Sequence, residues 1–314
     1  MAAPDPSARL LYRGRFAPSP TGPLHAGSVL TALASFLDAR TNQGQWLLRI
    51  EDIDPPRESR QAADSILHTL DALGLHWDGA VLYQSQRHSA FEAALASLRE
   101  QQRVFACACS RQQLTDHGGI YPGHCRDLQL PWEPGYALRC KVPLHPIEFS
   151  DRLQGHQAWH LGRTSGDFVV RRREGLPAYQ LAVVVDDAFQ QITDVVRGID
   201  LLNSTPRQIW LQQLLGVPIP RYAHLPIVLN PQGQKLSKQQ LATAVDAKHP
   251  GTVLVRALTQ LQMHPEPTLA EATPAEILAW AIDHWHPETL AGIAAIPDTS
   301  AMANVTNGSS EILI

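Results

Sequence analysis

Apolar positions open the chain with a strand-sized run, Leu10 to Phe16, which Ala17-Pro-Ser-Pro-Thr-Gly-Pro-Leu24 interrupts with turn-forming residues. From Ser28 the spacing of Val29, Leu30, Leu33, Phe36 and Leu37 follows a helical period as far as Arg40. Gln45 to Ile50 reads as a second strand, closed by Glu51-Asp-Ile-Asp-Pro-Pro56. Ser59 to Leu73 then carries Ile66, Leu67, Leu70 and Leu73 on one helical stripe, with Gly74 as the stop. Strand, loop, helix, strand, helix predicts the start of a parallel α/β sheet.

Between Tyr83 and Ser165 the rhythm changes. A helix from His88 to Gln101 leads into a cysteine-rich segment, then into irregular Pro-, Trp- and His-rich stretches with a strand-like run at Tyr136 to Val142. This reads as an insertion between two halves of a sheet. The α/β pattern resumes with Phe168 to Arg171, the apolar run Leu181 to Val185, and Ile192 to Val196. A helix is expected from Thr205-Pro206 through Leu215, with Thr as cap and Pro in the first turn, and a last strand from His224 to Leu229. Residues 241–295 have helical pattern broken at Pro250, Pro265 and Pro274, and the stretch from Pro297 onward lacks periodicity. The expected division is 8–83, 84–165, 166–240, 241–296 and a tail at 297–314.

Composition narrows the class. Hydrophobic residues are 44% and charged residues 18% of 314, which supports a packed core. A net charge of −4 argues against coating a polyanion through the overall field, although a local basic patch such as Arg163 with Arg171-Arg172-Arg173 leaves nucleic acid open. The first residues show no basic and apolar export pattern, and no apolar run approaches the roughly 18–20 residues of a membrane span, so a cytoplasmic protein is expected. Cys107, Cys109, Cys125 and Cys140 are too few for a disulfide scaffold, and three of them lie close together. That crowding points to a metal, with thiolates suited to a closed tetrahedral Zn²⁺ site. Chemistry favours His124 or His117 as the fourth ligand, because tyrosine is a rare one.

Two loops carry the candidate nucleotide chemistry. Arg15-Phe-Ala-Pro-Ser-Pro-Thr-Gly22-Pro-Leu-His25-Ala-Gly27-Ser28 runs from a strand end through a glycine-punctuated loop to a helix N-terminus. Free N–H groups and the positive helix end suit phosphate there, His25 can donate to phosphate oxygens, and Gly27 permits close approach of the nucleotide. Lys235-Leu-Ser-Lys238-Gln239 places two lysines around a hydroxyl, which suits a triphosphate under attack at its α-phosphorus. Each loop alone is a weak signal, but their order along one α/β chain is more specific.

With these two motifs the chain resembles class I aminoacyl-tRNA synthetases. His25-Ala-Gly27-Ser28 stands at the "HIGH" signature, with Ser in its fourth position, and Lys235 to Gln239 at the "KMSKS" signature. Arg15 to Gly22 and Arg49-Ile-Glu-Asp-Ile-Asp54 look like glutamyl-tRNA synthetases in particular. The resemblance implies a Rossmann-type core with an inserted, acceptor-side subdomain and a short helical C-terminal region. It implies glutamate contacts from Arg15, Phe16, Ala17, Pro18, Ser19, Glu51, Tyr179 and Arg197. Guanidinium groups would meet carboxylate, Glu51 the ammonium, and Tyr179 would donate a hydroxyl from a strand preceding Leu181. It further implies ATP contacts from His25, Gly27, Ser28 and Lys238, with His25, Lys235 and Lys238 acting in catalysis and Mg²⁺ accompanying ATP. The role of Asp186-Asp187 stays open.

The cysteine segment resembles the zinc site of the short branch of this family, the glutamyl-Q tRNA(Asp) synthetases, which implies Cys107, Cys109, Tyr121 and Cys125 as ligands and Cys140 as a free buried thiol. Only 75 residues follow Gln239, too few for the anticodon-reading domain of a complete glutamyl-tRNA synthetase. Val195 to Arg207 also looks like the short branch. The expectation is therefore a monomer that activates L-glutamate without tRNA and passes it to queuosine in the anticodon stem-loop of tRNA(Asp). The alternatives are a core that charges a tRNA 3′ end, a related nucleotidyltransferase and a non-catalytic RNA-binding paralogue.

Overall fold

A computed structural model describes residues 11–55, 57–115, 118–230 and 245–297. The chain begins β1 (Arg13–Phe16), α1 (Ala26–Thr41), β2 (Gln45–Ile50), α2 (Arg60–Ala72) and β3 (Leu82–Tyr83). Next come α3 (His88–Glu100), β4 (Val104–Cys107), α4 (Arg111–Thr115), β5 (Ala137–Cys140), β6 (Ile147–Asp151), β7 (Gly155–Trp159) and α5 (Leu161–Thr164). Then follow β8 (Phe168–Arg171), α6 (Tyr179–Phe189), β9 (Asp194–Gly198), α7 (Thr205–Leu215), β10 (Arg221–Leu225) and β11 (Ile227–Leu229). The last described elements are α8 (Pro250–Gln260), α9 (Pro274–Asp283) and β12 (Ala295–Pro297).

The core is a mostly parallel α/β arrangement. Strands β1, β2 and β3 form one parallel sheet. Strands β9, β10 and β6 run parallel in a second, and β7 closes its edge antiparallel to β6. Thr193, just before β9, joins the two sheets: its amide donates to the Arg13 carbonyl at 2.9 Å and its hydroxyl accepts from the Arg13 amide at 2.8 Å. The β4-β5-β8 sheet is antiparallel and carries the cysteine segment.

Helix α1 runs through the core with Leu30, Leu33 and Leu37 against Trp46, Leu48, Ile66 and Leu70. Leu254, Leu258, Ile277 and Leu290 belong to the same cluster, so the C-terminal helices share the core of the first half. Each such side chain contributes about 1.5–3 kcal/mol by leaving water. Inside this apolar region Asp38 accepts from the Tyr12 hydroxyl, from Arg152 at 2.6 and 2.9 Å, and from Trp285 Nε1 at 3.2 Å. One buried carboxylate thereby ties α1 to the β6–β7 hairpin and to the segment after α9.

Three sequence expectations need correction. The run Leu181 to Val185, and Tyr179 before it, are not strand but the middle and start of α6. The helix is buried on most of its circumference, from Gln180 through Val184 and again at Asp186 and Asp187, so its apolar residues fill consecutive positions and hide the helical period. His224 to Leu229 is not one strand. Pro226 has no N–H to continue a ladder, and the chain changes sheet there: β10 pairs with β9 and β6, whereas β11 pairs with β12. The hairpin of β6 and β7 was not anticipated. At α7 the capping position is Ser204, without a side-chain cap bond, and Thr205 begins the helix.

Candidate active site and metal centre

The loop from β1 to α1 leaves the C-terminal end of a parallel strand, where α/β sheets open a crevice. A cavity of about 350 Å³ lies there, within the size range of small-ligand sites. Its wall brings together Arg15, Phe16, Ala17, Pro18, Ser19, His25, Gly27, Ser28, Glu51, Tyr179 and Arg197. Lys235 and Lys238 lie outside the described residues. The chain on either side of them flanks the cavity: Val228 lines it, and the Val245 amide donates to the Leu24 carbonyl at 3.0 Å. His25 is the N-cap of α1. Its Nδ1 accepts from the Ser28 amide at 3.2 Å, and its Nε2 lies 3.0 Å from the Ser28 hydroxyl.

Beneath the cavity sits a buried ionic cluster. Arg49 is fully buried and donates to Asp187 Oδ1 at 2.7 Å, Gln190 Oε1 at 2.8 Å and Glu51 Oε1 at 3.3 Å. Arg15 Nε reaches the same Asp187 oxygen at 3.3 Å. Burial pushes the Glu51 carboxyl up, and the Arg49 and Arg15 charges only partly offset it. Asp187 is held below the usual carboxylate range: burial opposes this, but the charges of Arg15 and Arg49 prevail. Asp186 turns the other way, to Arg87 at 3.0 Å and Gln84 at 3.0 Å. Two arginines and two carboxylates thus balance within the cluster, and Asp186-Asp187 gain a part that residue type alone left open.

Arg197 is different. It is 3% exposed and makes no ion pair with a carboxylate among the described residues. Its Nε donates to His224 Nε2 at 3.0 Å and one terminal nitrogen to Thr205 Oγ1 at 2.8 Å. The other terminal nitrogen, Nη1, is buried without a hydrogen-bond partner. A guanidinium is always protonated, so the cavity wall carries a positive charge in no direct contact with a carboxylate, with a donor in reserve. An anionic ligand is what such a group accommodates.

Asp38, Asp151 and Asp187 all have lowered carboxyl pKa values: burial raises them, but partner charges and hydrogen bonds outweigh it. Each therefore adds stability that is present above its unfolded value of 3.8 and is lost as pH falls through its lower folded value. Glu51 and Asp186 are raised and work in the opposite sense. The thermal midpoint is expected to hold down to about pH 4 and to fall steeply below it. Calorimetry across pH 3 to 6 checks this, and a midpoint that falls in full between pH 6 and 5 contradicts it.

In the antiparallel lobe, Cys107 at the end of β4 meets Cys109 and Cys125, all three sulfurs lying within 4.8 Å of one another. The Tyr121 hydroxyl accepts from the Cys125 amide at 2.7 Å and so stands beside the sulfurs. His124 is exposed and outside the group, and His117 is not among the described residues. Burial and the neighbouring sulfurs push the Cys109 thiol up to about 12, and a cation shared by the three sulfurs would favour their ionised forms. Arg139 donates to Cys107 Sγ at 3.2 Å and lies over the Tyr121 ring at 4.3 Å. Cys140 is buried in a separate apolar cluster and takes no part.

Two members of the arginine run make contacts to neighbouring segments: Arg172 is half-buried and Arg173 is exposed. Arg172 pairs with Asp54 at 3.2 Å and donates to the Ile53 carbonyl, while Arg173 donates to the carbonyls of Ala108 and Cys109. No described helix is long and apolar enough to cross a membrane.

This geometry defines a synthetase catalytic domain: residues 12–266 match the family model of the class I tRNA synthetases (E and Q), catalytic domain. Two solved structures share the fold. They are the glutamate-tRNA synthetase of Elizabethkingia anophelis (TM-score 0.75, 26% identity, 91% of this chain and 68% of that one) and the glutamate tRNA ligase of Elizabethkingia meningosepticum in complex with its amino acid (TM-score 0.76, 26% identity, 93% and 68%). The chain is also 52% identical to the glutamyl-Q tRNA(Asp) synthetase of Pseudomonas putida KT2440, over 91% of this chain and 95% of that protein. It is 50% identical to that of Pseudomonas aeruginosa PAO1, over 91% and 98%. The chain belongs to the glutamyl-Q tRNA(Asp) synthetase family.

Proposed function

We propose that the protein uses ATP to activate L-glutamate without tRNA and then transfers the glutamyl group to the queuosine of tRNA(Asp). The observation that carries the reading is Arg197, a buried cation in the cavity wall with no carboxylate partner and one unpartnered donor. It is supported by relatives of nearly the same length that bear this activity in their names. Arg197 and Arg15 would receive substrate carboxylate, Glu51 the ammonium, and Tyr179 would add a hydroxyl donor. Arg15 already spends its Nε on Asp187, so the larger share falls to Arg197.

In the first step the α-carboxylate of glutamate attacks the α-phosphorus of ATP, giving glutamyl-adenylate and pyrophosphate. Positioning and neutralisation of charge do the work, with Mg²⁺ accompanying the nucleotide. Ser28 and Gly27, in the first turn of α1, would face phosphate or ribose, and His25 would exchange its capping bond for a phosphate oxygen. Lys235 and Lys238 are assigned to the triphosphate on their motif alone. A nucleophilic group of queuosine then attacks the mixed anhydride and AMP leaves. The enzyme is expected to work as a monomer in the cytoplasm.

Glutamate-dependent ATP–pyrophosphate exchange in the absence of RNA tests the first step. Transfer of labelled glutamate to queuosine-containing tRNA(Asp), but not to its unmodified transcript, tests the second. Exchange that requires tRNA, with charging of a tRNA 3′ end, would favour the core of an ordinary glutamyl-tRNA synthetase.

We further propose that the metal is Zn²⁺, held by Cys107, Cys109, Cys125 and the Tyr121 hydroxyl, in a structural role. The donor set fits: three sulfurs converge, and the tyrosine oxygen stands beside them. Purified protein should contain about one zinc per chain, and Cys109→Ser should lose most of it while lowering the thermal midpoint. Zinc content unchanged in that variant, measured by plasma mass spectrometry, rejects the assignment.

A further inference from the structure

His224 lies in β10, between Ala223 and Leu225 of the sheet interior, and is fully buried. Its surroundings come from four elements. Asp151 of β6 meets Nδ1 at 2.5 Å, Arg197 of β9 donates to Nε2 at 3.0 Å, and the Thr205 hydroxyl of α7 lies 3.1 Å from the same nitrogen. Tyr222 stacks beside the ring at 6.0 Å between centroids. An arginine Nε can only donate, so Nε2 must be the lone-pair nitrogen and Nδ1 must carry the proton toward Asp151. The ring is thus a neutral acceptor in a fixed tautomer. Burial and the Arg197 charge hold its pKa below the ordinary histidine value, against the pull of Asp151.

Asp151 is itself immobilised. Its Oδ1 accepts the amides of His224 at 3.1 Å, Leu153 at 3.0 Å and Gln154 at 2.9 Å. The β6–β7 hairpin therefore delivers a rigid carboxylate to the back of His224. From there the chain of bonds runs Asp151, His224, Arg197, cavity. A guanidinium is planar, so fixing Nε through His224 and one terminal nitrogen through Thr205 determines where the remaining nitrogen points. That remaining nitrogen is the unpartnered Nη1.

We infer that His224 is a positioning residue: anchored by Asp151, it aims the Arg197 fork so that its free donor is held ready for a substrate carboxylate. The inference rests on the reading of Arg197 as the carboxylate site. It adds residues that lie outside the cavity wall and sets apart Asp151 and Thr205 as the supports that keep the fork pre-organised. A fork held in place loses little freedom on binding, so the benefit falls on glutamate affinity more than on the chemical step.

The experiment is pyrophosphate exchange with His224→Ala, His224→Asn and His224→Gln, reading KM for glutamate, KM for ATP and kcat alongside the thermal midpoint. Asparagine can donate to Asp151 from the Nδ1 position but is too short to reach Arg197. Glutamine can place an acceptor near the Nε2 position. The alanine and asparagine variants are expected to raise KM for glutamate about 10- to 100-fold and leave KM for ATP within about twofold. Glutamine should return KM for glutamate to within about fivefold of the wild type. A glutamine variant no better than asparagine, or equal rises in both KM values, overturns the proposal and assigns His224 to packing alone; should alanine fail to fold, the asparagine and glutamine pair decides it. The underlying reading fails separately, if Arg197→Ala keeps the wild-type KM for glutamate or the wild type shows no glutamate-dependent exchange, and the proposal falls with it.

Discussion

Arg197→Ala lowers kcat/KM for glutamate by about two to three orders of magnitude in pyrophosphate exchange, and Arg197→Lys recovers little of it. The first figure follows from a charge-assisted contact to carboxylate in a desolvated cavity, worth about 3–4 kcal/mol. The second follows from shape. Lysine supplies a point charge but cannot donate to His224 and Thr205 at once while turning a further donor to the ligand. Because the Arg15 and Arg49 charges are already paired with Asp187 and Glu51, neither replaces Arg197 as the cation without a direct carboxylate contact. The measurement is steady-state exchange with glutamate and ATP varied in turn. A loss of less than about fivefold in both variants removes Arg197 from the site.

The largest effect on stability is expected from Asp187→Ala. This carboxylate is the common partner of Arg15 and Arg49, both buried, and its removal leaves two cations with Glu51 and the more distant charge of Asp186. Breaking a buried pair from one side costs about 3–5 kcal/mol, which for a chain of this size lowers the thermal midpoint by roughly 10 °C. Asp187→Asn keeps an acceptor oxygen while losing the charge, so it should fall between alanine and wild type. Urea titration and calorimetry measure both. An alanine variant within about 1 kcal/mol of wild type shows that the cluster relaxes or admits water instead.

Much of the core was legible because its elements are amphipathic. Helix α2 lies where period and stop signals put it, since it buries one stripe, and strand β2 follows the turn signals that bound it. Helix α6 was not legible as a helix because burial on most sides removed the polar positions that mark a helical turn. The β6–β7 hairpin was missed because its residues alternate weakly and its link to β10 is a single register pair, Tyr222 with Asp151.

The site divides in a similar way. The residues gathered around the cavity were singled out by motif resemblance rather than residue type, because Arg15 or Glu51 alone is as readily a surface ion. Arg197's partners went unmarked, since His224 and Asp151 are 73 residues apart and meet only through the sheet. One signal was available: a histidine inside the apolar run from Tyr222 to Leu229 has to be buried, and a buried imidazole needs partners for both nitrogens.

Arg172 and Arg173 occupy consecutive positions, yet one grips Ile53 and Asp54 and the other grips Ala108 and Cys109. Their Cα atoms are about 3.8 Å apart across one peptide, so both grips start from adjacent points of the backbone. The dipeptide works as a coupling rod between the cysteine lobe and the stretch of chain just past Glu51. A metal held by the three cysteines would thus be linked through Arg173 and Arg172 to the loop that carries Glu51.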